Sequence, residues 1–226
     1  MTRLLTFLIL TALSLTACQQ EKPAKGPWIF GNLYVRYLQD GQQIKAEASF
    51  FKGDSSHNAA PLSILGGVSF QNSGMESRNI QNKIIRYQYE NSGNYPGNFA
   101  FQAQDDDGKP HKFSIEMKPL DSFSLPDTIY RDKGFTLEIS PDPGPKPESL
   151  AILLTDQAGQ ASLIEIPSPI SSSISISPGQ INRLAPGSYQ TYLVKKQHSF
   201  VEKGRFKVNC DAEFYSSVKE VVISAE

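Results

Sequence analysis

From about residue 28 onward, apolar and polar side chains alternate along the chain with a period of two. In residues 44–50, Ile-Lys-Ala-Glu-Ala-Ser-Phe, every second side chain is apolar. Successive side chains of a strand point to opposite faces of a sheet, so this segment predicts a half-buried strand. We therefore predict an all-β fold, because strand patterns recur in segments 33–38, 68–70, 84–89, 99–103, 113–117, 129–139, 163–166, 174–176, 189–195, 206–210 and 218–223.

Some segments depart from this alternation. Residues 150–154, Leu-Ala-Ile-Leu-Leu, are apolar throughout, which predicts a strand buried on both faces. Residues 141–147 have proline at every second position, and this segment predicts an extended surface loop because proline cannot donate to a sheet. No window of twelve residues shows a convincing helical stripe, although segments 75–86 and 178–184 allow a turn or two of helix.

Turn residues divide the predicted strands into two groups. Asp40-Gly41 lies between two alternating segments and predicts a β-hairpin. The proline-bounded segment 119–126 separates an earlier set of strands from a later set. We therefore predict two tandem antiparallel β-sandwich domains, at residues 28–119 and 120–226.

One short motif suggests the type of the second sandwich. Residues 184–189, Leu-Ala-Pro-Gly-Ser-Tyr, resemble the tyrosine corner of fibronectin type III and related immunoglobulin-like domains. The resemblance implies that Tyr189 begins a strand and that its hydroxyl bonds to the upstream backbone, while Leu184 caps the core. The motif is one residue shorter than the commonest fibronectin form. The alternative is a generic Pro-Gly turn before a strand, which also fits a β-sandwich.

The N-terminus has the pattern of a secretory signal. Arg3 precedes an apolar run over residues 4–14. This run is too short for a transmembrane helix, which needs roughly 20 residues, and it matches the apolar region of a signal peptide. We predict a signal peptide at residues 1–17, followed by a polar, proline-containing tether at residues 18–27.

The end of this signal resembles the lipobox of bacterial lipoproteins. Leu15, Thr16, Ala17 and Cys18 place an apolar residue and two small residues before a cysteine. The resemblance implies cleavage before Cys18 and acylation of its thiol, usually with N-acylation as well, so that membrane lipid is a partner through this residue. Two or three acyl chains anchor a protein stably. Residue 19 is Gln and not Asp, which by the same resemblance favours the outer membrane of a Gram-negative bacterium.

Composition and charge exclude several classes of protein. Apolar residues make up 39% and charged residues 20%, as in an ordinary folded chain. The net charge is −1, from 22 basic and 23 acidic side chains, so nucleic acid is not an expected partner. Cys210 is the only thiol that remains after Cys18 is acylated, and it shares strand parity with Val208. We expect it to be buried and inert rather than catalytic.

The sequence contains none of the common catalytic signatures. It lacks Gly-x-Ser-x-Gly, His-Glu-x-x-His, Cys-x-x-Cys, a phosphate-binding glycine loop and a dinucleotide fingerprint. The three histidines, His57, His111 and His198, lie far apart in or near predicted turns, where histidines are usually solvated. We therefore expect no cofactor and no enzyme activity.

Two groups of residues are weak candidates for binding. Asp105 and Asp107 lie in an Asp-Asp-Asp-Gly turn that offers oxygen ligands for calcium, but the turn lacks the alternating pattern and the glutamate of an EF-hand. A hairpin tip, with Gly108 at positive φ, is the favoured alternative. Tyr34 and Tyr95 are the aromatic residues expected to be exposed, where they form a platform for a glycan or peptide.

Together these features suggest a role without identifying a ligand. We expect a lipid-anchored cell-envelope protein with a non-catalytic binding or structural role, whose partner is another envelope protein or a glycan. One alternative is an accessory subunit of an outer-membrane or secretion assembly. A second alternative is a small glycan or peptide hydrolase, because any pair of carboxylates in a cleft suffices for a glycosidase.

Overall fold

The computed structural model describes residues 27–140 and 148–225. The predicted signal peptide, Cys18, most of the tether and the proline-rich loop at 141–147 lie outside these ranges. Within them, no helix has the length and apolar character needed to cross a bilayer. The elements are β1 Trp28–Leu38, β2 Gln43–Gly53, β3 Ala60–Pro61, β4 Val68–Phe70, β5 Ser73–Gly74, β6 Glu76–Ile80, β7 Ile84–Ser92, β8 Phe99–Gln104, β9 Pro110–Ile115, β10 Ser122–Ser124, β11 Thr128–Tyr130, β12 Phe135–Ser140, β13 Glu148–Asp156, β14 Ala161–Ile166, β15 Ser173–Ile176, α1 Pro178–Ile181, β16 Gly187–Lys203, β17 Phe206–Tyr215 and β18 Lys219–Ser224.

The strands form one large sheet and two small ones. The large sheet has the order β11-β18-β16-β17-β1-β2-β7-β6, with β13 and β14 added beside β16 and β3 beside β2. The small sheets are β5-β4-β8-β9 and β10-β12-β15. All strand pairs are antiparallel except β1 with β17 and β11 with β18. The predicted all-β class is confirmed.

In the first sandwich, the sheet β5-β4-β8-β9 packs on the part of the large sheet that runs from β7 to the C-terminal half of β16, while the edge strand β6 is exposed. Aromatic rings join the two layers: Phe113 lies 5.3 Å from Phe206, and Phe70 lies 5.1 Å from Tyr89. The apolar residues of segment 44–50 are all buried, which confirms the predicted alternation. Buried aromatic side chains of this size dominate the apolar area of a core.

In the second sandwich, the buried side chains of β10-β12-β15 share a core with those of the large sheet, such as Leu137 and Ile139 of β12 with Ile152 and Leu154 of β13. Its tyrosine corner is confirmed: the Tyr189 hydroxyl donates a hydrogen bond to the Ala185 carbonyl oxygen, 3.0 Å away. Leu184 is buried beneath this turn, as the resemblance implied. The two-sheet arrangement and this corner make the sandwich immunoglobulin-like.

The long strand β16 belongs to both sandwiches. Its residues 187–191 pair with β18, and its residues 194–203 pair with β17. Strand β17 then pairs in parallel with β1 along its whole length. Where the two halves of β16 meet, the buried Lys195 donates from Nζ to the Lys118 carbonyl oxygen at 2.9 Å. The first sandwich therefore takes two strands from the far side of the boundary predicted at residue 119, and the domain limits themselves stay a prediction.

Three local expectations have different outcomes. Segment 75–86 forms no helix; it is the β6–β7 hairpin, whose turn places Gln81 and Asn82 at positive φ. Segment 178–184 does contain a helical turn, α1. The predicted hairpin at Asp40 joins β1 to β2, but the positive φ falls on Gln42 at the end of a four-residue connection.

Candidate functional site

One face of the large sheet packs on the two small sheets, and the opposite face is polar and aromatic. We call this opposite face the outer face. On β1 it includes Phe30, Asn32 and Tyr34, whose side chains are all partly or fully exposed, while the alternate side chains point into the core. Inside the sheet at this point, Gly31 is required: a Cβ would lie 2.9 Å from the Phe50 ring. Close packing on the inner face of β1 therefore fixes the position of the strand whose other side chains form the outer face.

The first concavity on the outer face is a polar groove of about 450 Å³ at the junction of β1, β17, β16 and β13. Glu213 organises its floor. The Tyr34 hydroxyl donates to Glu213 Oε2 at 2.7 Å, and the Tyr215 hydroxyl donates to the same oxygen at 2.9 Å. The groove is lined by Tyr34, Ser149, Ser168, Lys196, Gln197, His198, Asp211, Ala212 and Glu213.

The two tyrosines of this network remain hydrogen-bond donors. Burial raises the pKa of Tyr34 well above its ordinary value, and the hydrogen bond to Glu213 and the negative charge of that carboxylate raise it further. The pKa of Tyr215 is raised for the same reasons, although Arg36 opposes the shift. Glu213 therefore holds two neutral phenols in place through one of its carboxylate oxygens.

A histidine–carboxylate pair lies beside this network. His198 Nδ1 is 2.7 Å from Asp211 Oδ1, and the two side chains are 63% and 47% exposed. Such a pair orients a general base in many hydrolases. Among the described residues, however, no serine hydroxyl is hydrogen-bonded to His198, and the pair is open to water. The two side chains can accept hydrogen bonds from a polar ligand and donate hydrogen bonds to it.

The second concavity is an aromatic groove of about 460 Å³, closer to the β16–β17 turn. Phe30 lies opposite Phe51 across the β1–β2 pair, and Phe200 on β16 is 55% exposed. Beside them, Lys207 Nζ lies 4.0 Å from the centre of the Trp28 ring, a cation–π contact. The groove is lined by Phe30, Gly31, Asn32, Phe51, Ser56, Ala59, Phe200, Lys207 and Asn209.

The two tyrosines singled out from the sequence have different positions. Tyr34 is in the polar groove. Tyr95 is packed into an aromatic cluster, with ring centres 5.0 Å from Tyr37 and 5.5 Å from Phe214, and its hydroxyl donates to a backbone carbonyl. Sequence reasoning missed Glu213, because its partner Tyr34 lies on a strand far away in the chain, although its other partner, Tyr215, is only two residues away.

The Asp-Asp-Asp-Gly turn is a hairpin tip that is tied to its surroundings. Gly108 has φ of +75°, as predicted for a hairpin. Asp105 accepts hydrogen bonds from the backbone N–H groups of Asp107 and Lys109, and its Oδ2 lies 2.8 Å from His111 Nε2. Across residues 27–140 and 148–225, no three His, Cys, Asp or Glu side chains are placed to hold a metal ion together.

His111 corrects the expectation that the histidines are solvated. It is 5% exposed, and its ring lies 4.9 Å from Phe206. Burial on its own would raise the pKa of Asp105, but the hydrogen bonds from His111 and from two backbone N–H groups outweigh it, so the pKa lies below its ordinary value. The pair helps to fix the first sandwich, and neither residue lines either groove.

The remaining candidate, Cys210, is buried as predicted. It has no exposed surface and lies on the inner face of β17 with Val208. Burial raises the pKa of its thiol to about 11, with a further contribution from the charge of Asp211. A thiol that stays protonated at neutral pH is a poor nucleophile, so Cys210 is a packing residue.

Comparisons with known proteins do not identify a family. No family model and no curated protein matches the chain. It is similar to the solved FN1-FN3 domains of chicken CNTN1 (9% identity, TM-score 0.27, 85% of this chain and 65% of that chain). It is also similar to a tetra-tandem repeat from the extending region of a large adhesion protein (14%, 0.26, 88% and 50%) and to a 1.5-MDa bacterial ice-binding adhesin (11%, 0.22, 89% and 67%). The chain thus spans 65% and 50% of the first two structures, and at these TM-scores the fold assignment rests on the strand pairing and on the Tyr189 hydrogen bond.

Proposed function

We propose that this chain is a lipid-anchored cell-envelope protein that binds a glycan in the polar groove of its outer face and has no catalytic role. The observation on which this proposal depends is the groove itself. Lys196 offers a hydrogen-bond donor, the Asp211 and Glu213 carboxylates offer acceptors, and Tyr34 offers an aromatic face. A sugar chain presents the matching set, because its hydroxyls both donate and accept while its C–H faces stack on aromatic rings.

The charges of the groove favour a neutral ligand. Lys196 offsets one of the two carboxylates, and the other is paired with His198. An anionic polymer would meet Asp211 and Glu213 at the floor of the groove, so repulsion disfavours nucleic acid and acidic lipids there. A neutral oligosaccharide meets no such penalty.

Binding is tested on the purified mature protein with soluble neutral oligosaccharides, such as glucan and chitin fragments, by titration calorimetry. Asp211→Asn removes an acceptor charge at an exposed position, so the fold should tolerate it, and we expect at least fivefold weaker binding. Glu116→Gln is the matched control, because Glu116 is an exposed carboxylate outside the groove. Equal affinity of both variants would remove the polar groove as the binding site.

The anchor is tested separately. Cys18→Ser should release the protein from the membrane fraction, because the acyl chains have lost their attachment point. Cys210→Ala is the control, since that thiol is fully buried. Unchanged fractionation of the Cys18→Ser protein would rule out the lipid anchor.

An accessory role in an assembly is the second candidate, and a specific apolar stripe favours it. Leu163 is 51% exposed on the outer face of β14, and it pairs with Leu153 on β13, which pairs with Tyr192 on β16. Exposed apolar stripes of this kind often mark protein interfaces. Site-specific crosslinking from position 163 in the native envelope should capture one defined protein if this candidate is correct.

A further inference from the structure

The chain segment that follows the predicted acylation site, Cys18, leads into β1, and the first residues of β1 lie beside the aromatic groove. Trp28 is the first residue of β1, and Phe30 follows on the same outer face. Trp28 is ten residues beyond Cys18 in the sequence, and a fully extended chain of that length spans at most about 35 Å. If Cys18 is acylated, Trp28 therefore cannot move far from the bilayer surface.

The side chains around this point have the character of a membrane interface. Phe30, Phe51 and Phe200 line the aromatic groove, and Trp28 is linked to it through Lys207; we call these four aromatic residues the aromatic end. Tryptophan and other aromatic side chains are enriched at the headgroup level of bilayers. Lys207 lies against the Trp28 ring, and a lysine stem covers apolar surface while its ammonium group remains among polar headgroups.

We infer that the aromatic end rests on the lipid interface of the membrane in which Cys18 is anchored. This inference depends on the lipid anchor of the proposed function. A patch of four aromatic residues is too small to hold a protein on a membrane alone. A tether of ten residues converts the contact into an intramolecular one, with an effective concentration in the millimolar range. Weak insertion of Phe200 and Trp28 is then enough to orient the body.

The docked orientation leaves the polar groove accessible. Tyr34 lies four residues beyond Phe30 along β1, a distance of about 13 Å at 3.3 Å per residue. His198 is likewise two residues beyond Phe200 on β16, in the direction away from the β16–β17 turn. With the aromatic side chains in the headgroup region, the polar groove would therefore lie above that region, on the side away from the bilayer.

Trp28 is a built-in probe for this contact, because it is the only tryptophan of the chain. The lipidated full-length protein is placed in phosphatidylethanolamine–phosphatidylglycerol vesicles that contain lipids brominated at a shallow or a deep acyl position. We expect shallow bromolipids to quench Trp28 emission, and soluble acrylamide to quench it at least twofold less than in the Cys18→Ser protein free in solution.

Phe200→Ser tests the patch without disturbing the core, since Phe200 is 55% exposed. We expect at least a twofold loss of bromolipid quenching in this variant, with the circular dichroism and the melting temperature unchanged. Leu163→Ser is the matched control: Leu163 is 51% exposed on β14 of the second sandwich and is not part of the aromatic end, so its loss should leave the quenching unchanged.

The outcomes separate this inference from the anchor. If fractionation shows the anchor but Trp28 is quenched by acrylamide as in the free protein and not by bromolipids, the docking is refuted and the anchor stands. If added envelope glycan, and not lipid, shields Trp28, the aromatic end belongs to a ligand site and the inference is also refuted. If the Cys18→Ser protein stays in the membrane fraction, the anchor fails and the docking inference fails with it.

Discussion

Phe206 tests whether the β16–β17 hairpin is part of the first sandwich. Its side chain has no exposed surface, and its ring lies 5.3 Å from Phe113, 6.0 Å from Phe50 and 4.9 Å from His111. Phe206→Ala removes a ring whose volume these three neighbours cannot fill. A buried phenylalanine replaced by alanine costs about 3–5 kcal/mol of the free energy of unfolding. For a chain of this length, that corresponds to a fall in melting temperature on the order of 10 °C.

The assay follows Trp28 fluorescence during urea and thermal unfolding. Trp28 lies on β1, next to Lys207 of β17, so its emission reports the first sandwich and not the second. Phe200→Ala is the matched control: it is the same substitution on the same hairpin, but at an exposed position, and we expect a change below about 1 kcal/mol. A Trp28 transition that Phe206→Ala leaves unchanged would refute the shared-strand architecture.

Three further predictions concern single groups. The folded pKa of Asp105 lies below its ordinary value, so the stabilising contribution of this carboxylate is complete above the unfolded pKa, about 4, and is lost as the pH falls through the folded pKa. The urea midpoint of the native protein should therefore fall between pH 5 and 3. Asp105→Asn should make this fall smaller, whereas Asp107→Asn should not. Cys210 should react with a thiol reagent at pH 8 only in denaturant, so rapid labelling of the native protein would contradict its burial. Tyr189→Phe should cost about 1 kcal/mol in a denaturation experiment, because the Ala185 carbonyl loses its donor, whereas Tyr130→Phe at a more exposed position should cost less than half of that.

The alternation of side chains predicted most of the strands, because burial on one face of a sheet has the same period as the backbone. It predicted the buried face of β2 and the outward position of Tyr34. His111 shares the parity of Phe113 and Ile115, and its burial was therefore visible in the same pattern. Because histidine is polar, we expected it in a solvated turn, but its position on the inward-facing side of β9 buries it.

Alternation says which face a residue occupies and not which strand lies beside it. The pairing of β1 with β17 joins Tyr34 to Asp211 across most of the chain, and no local signal specifies such a partner. Both grooves depend on this pairing, since each combines residues of β1 with residues of β16 and β17. The tyrosine corner, by contrast, lies within six consecutive residues, and its geometry was predicted from them.

The position of β1 also determines how the molecule responds to a pulling force. The chain segment from the predicted anchor enters β1 at Trp28, and β1 is paired with β2 from Trp28 to Leu38 and with β17 from Ile29 to Leu38. A force applied at Trp28 along the direction of β1 acts across its hydrogen bonds, which lie roughly perpendicular to the chain. Both ladders are then loaded in shear, so that many bonds share the force at once instead of opening one after another. A strand paired along its length on both sides is thus a mechanical clamp against force applied at Trp28.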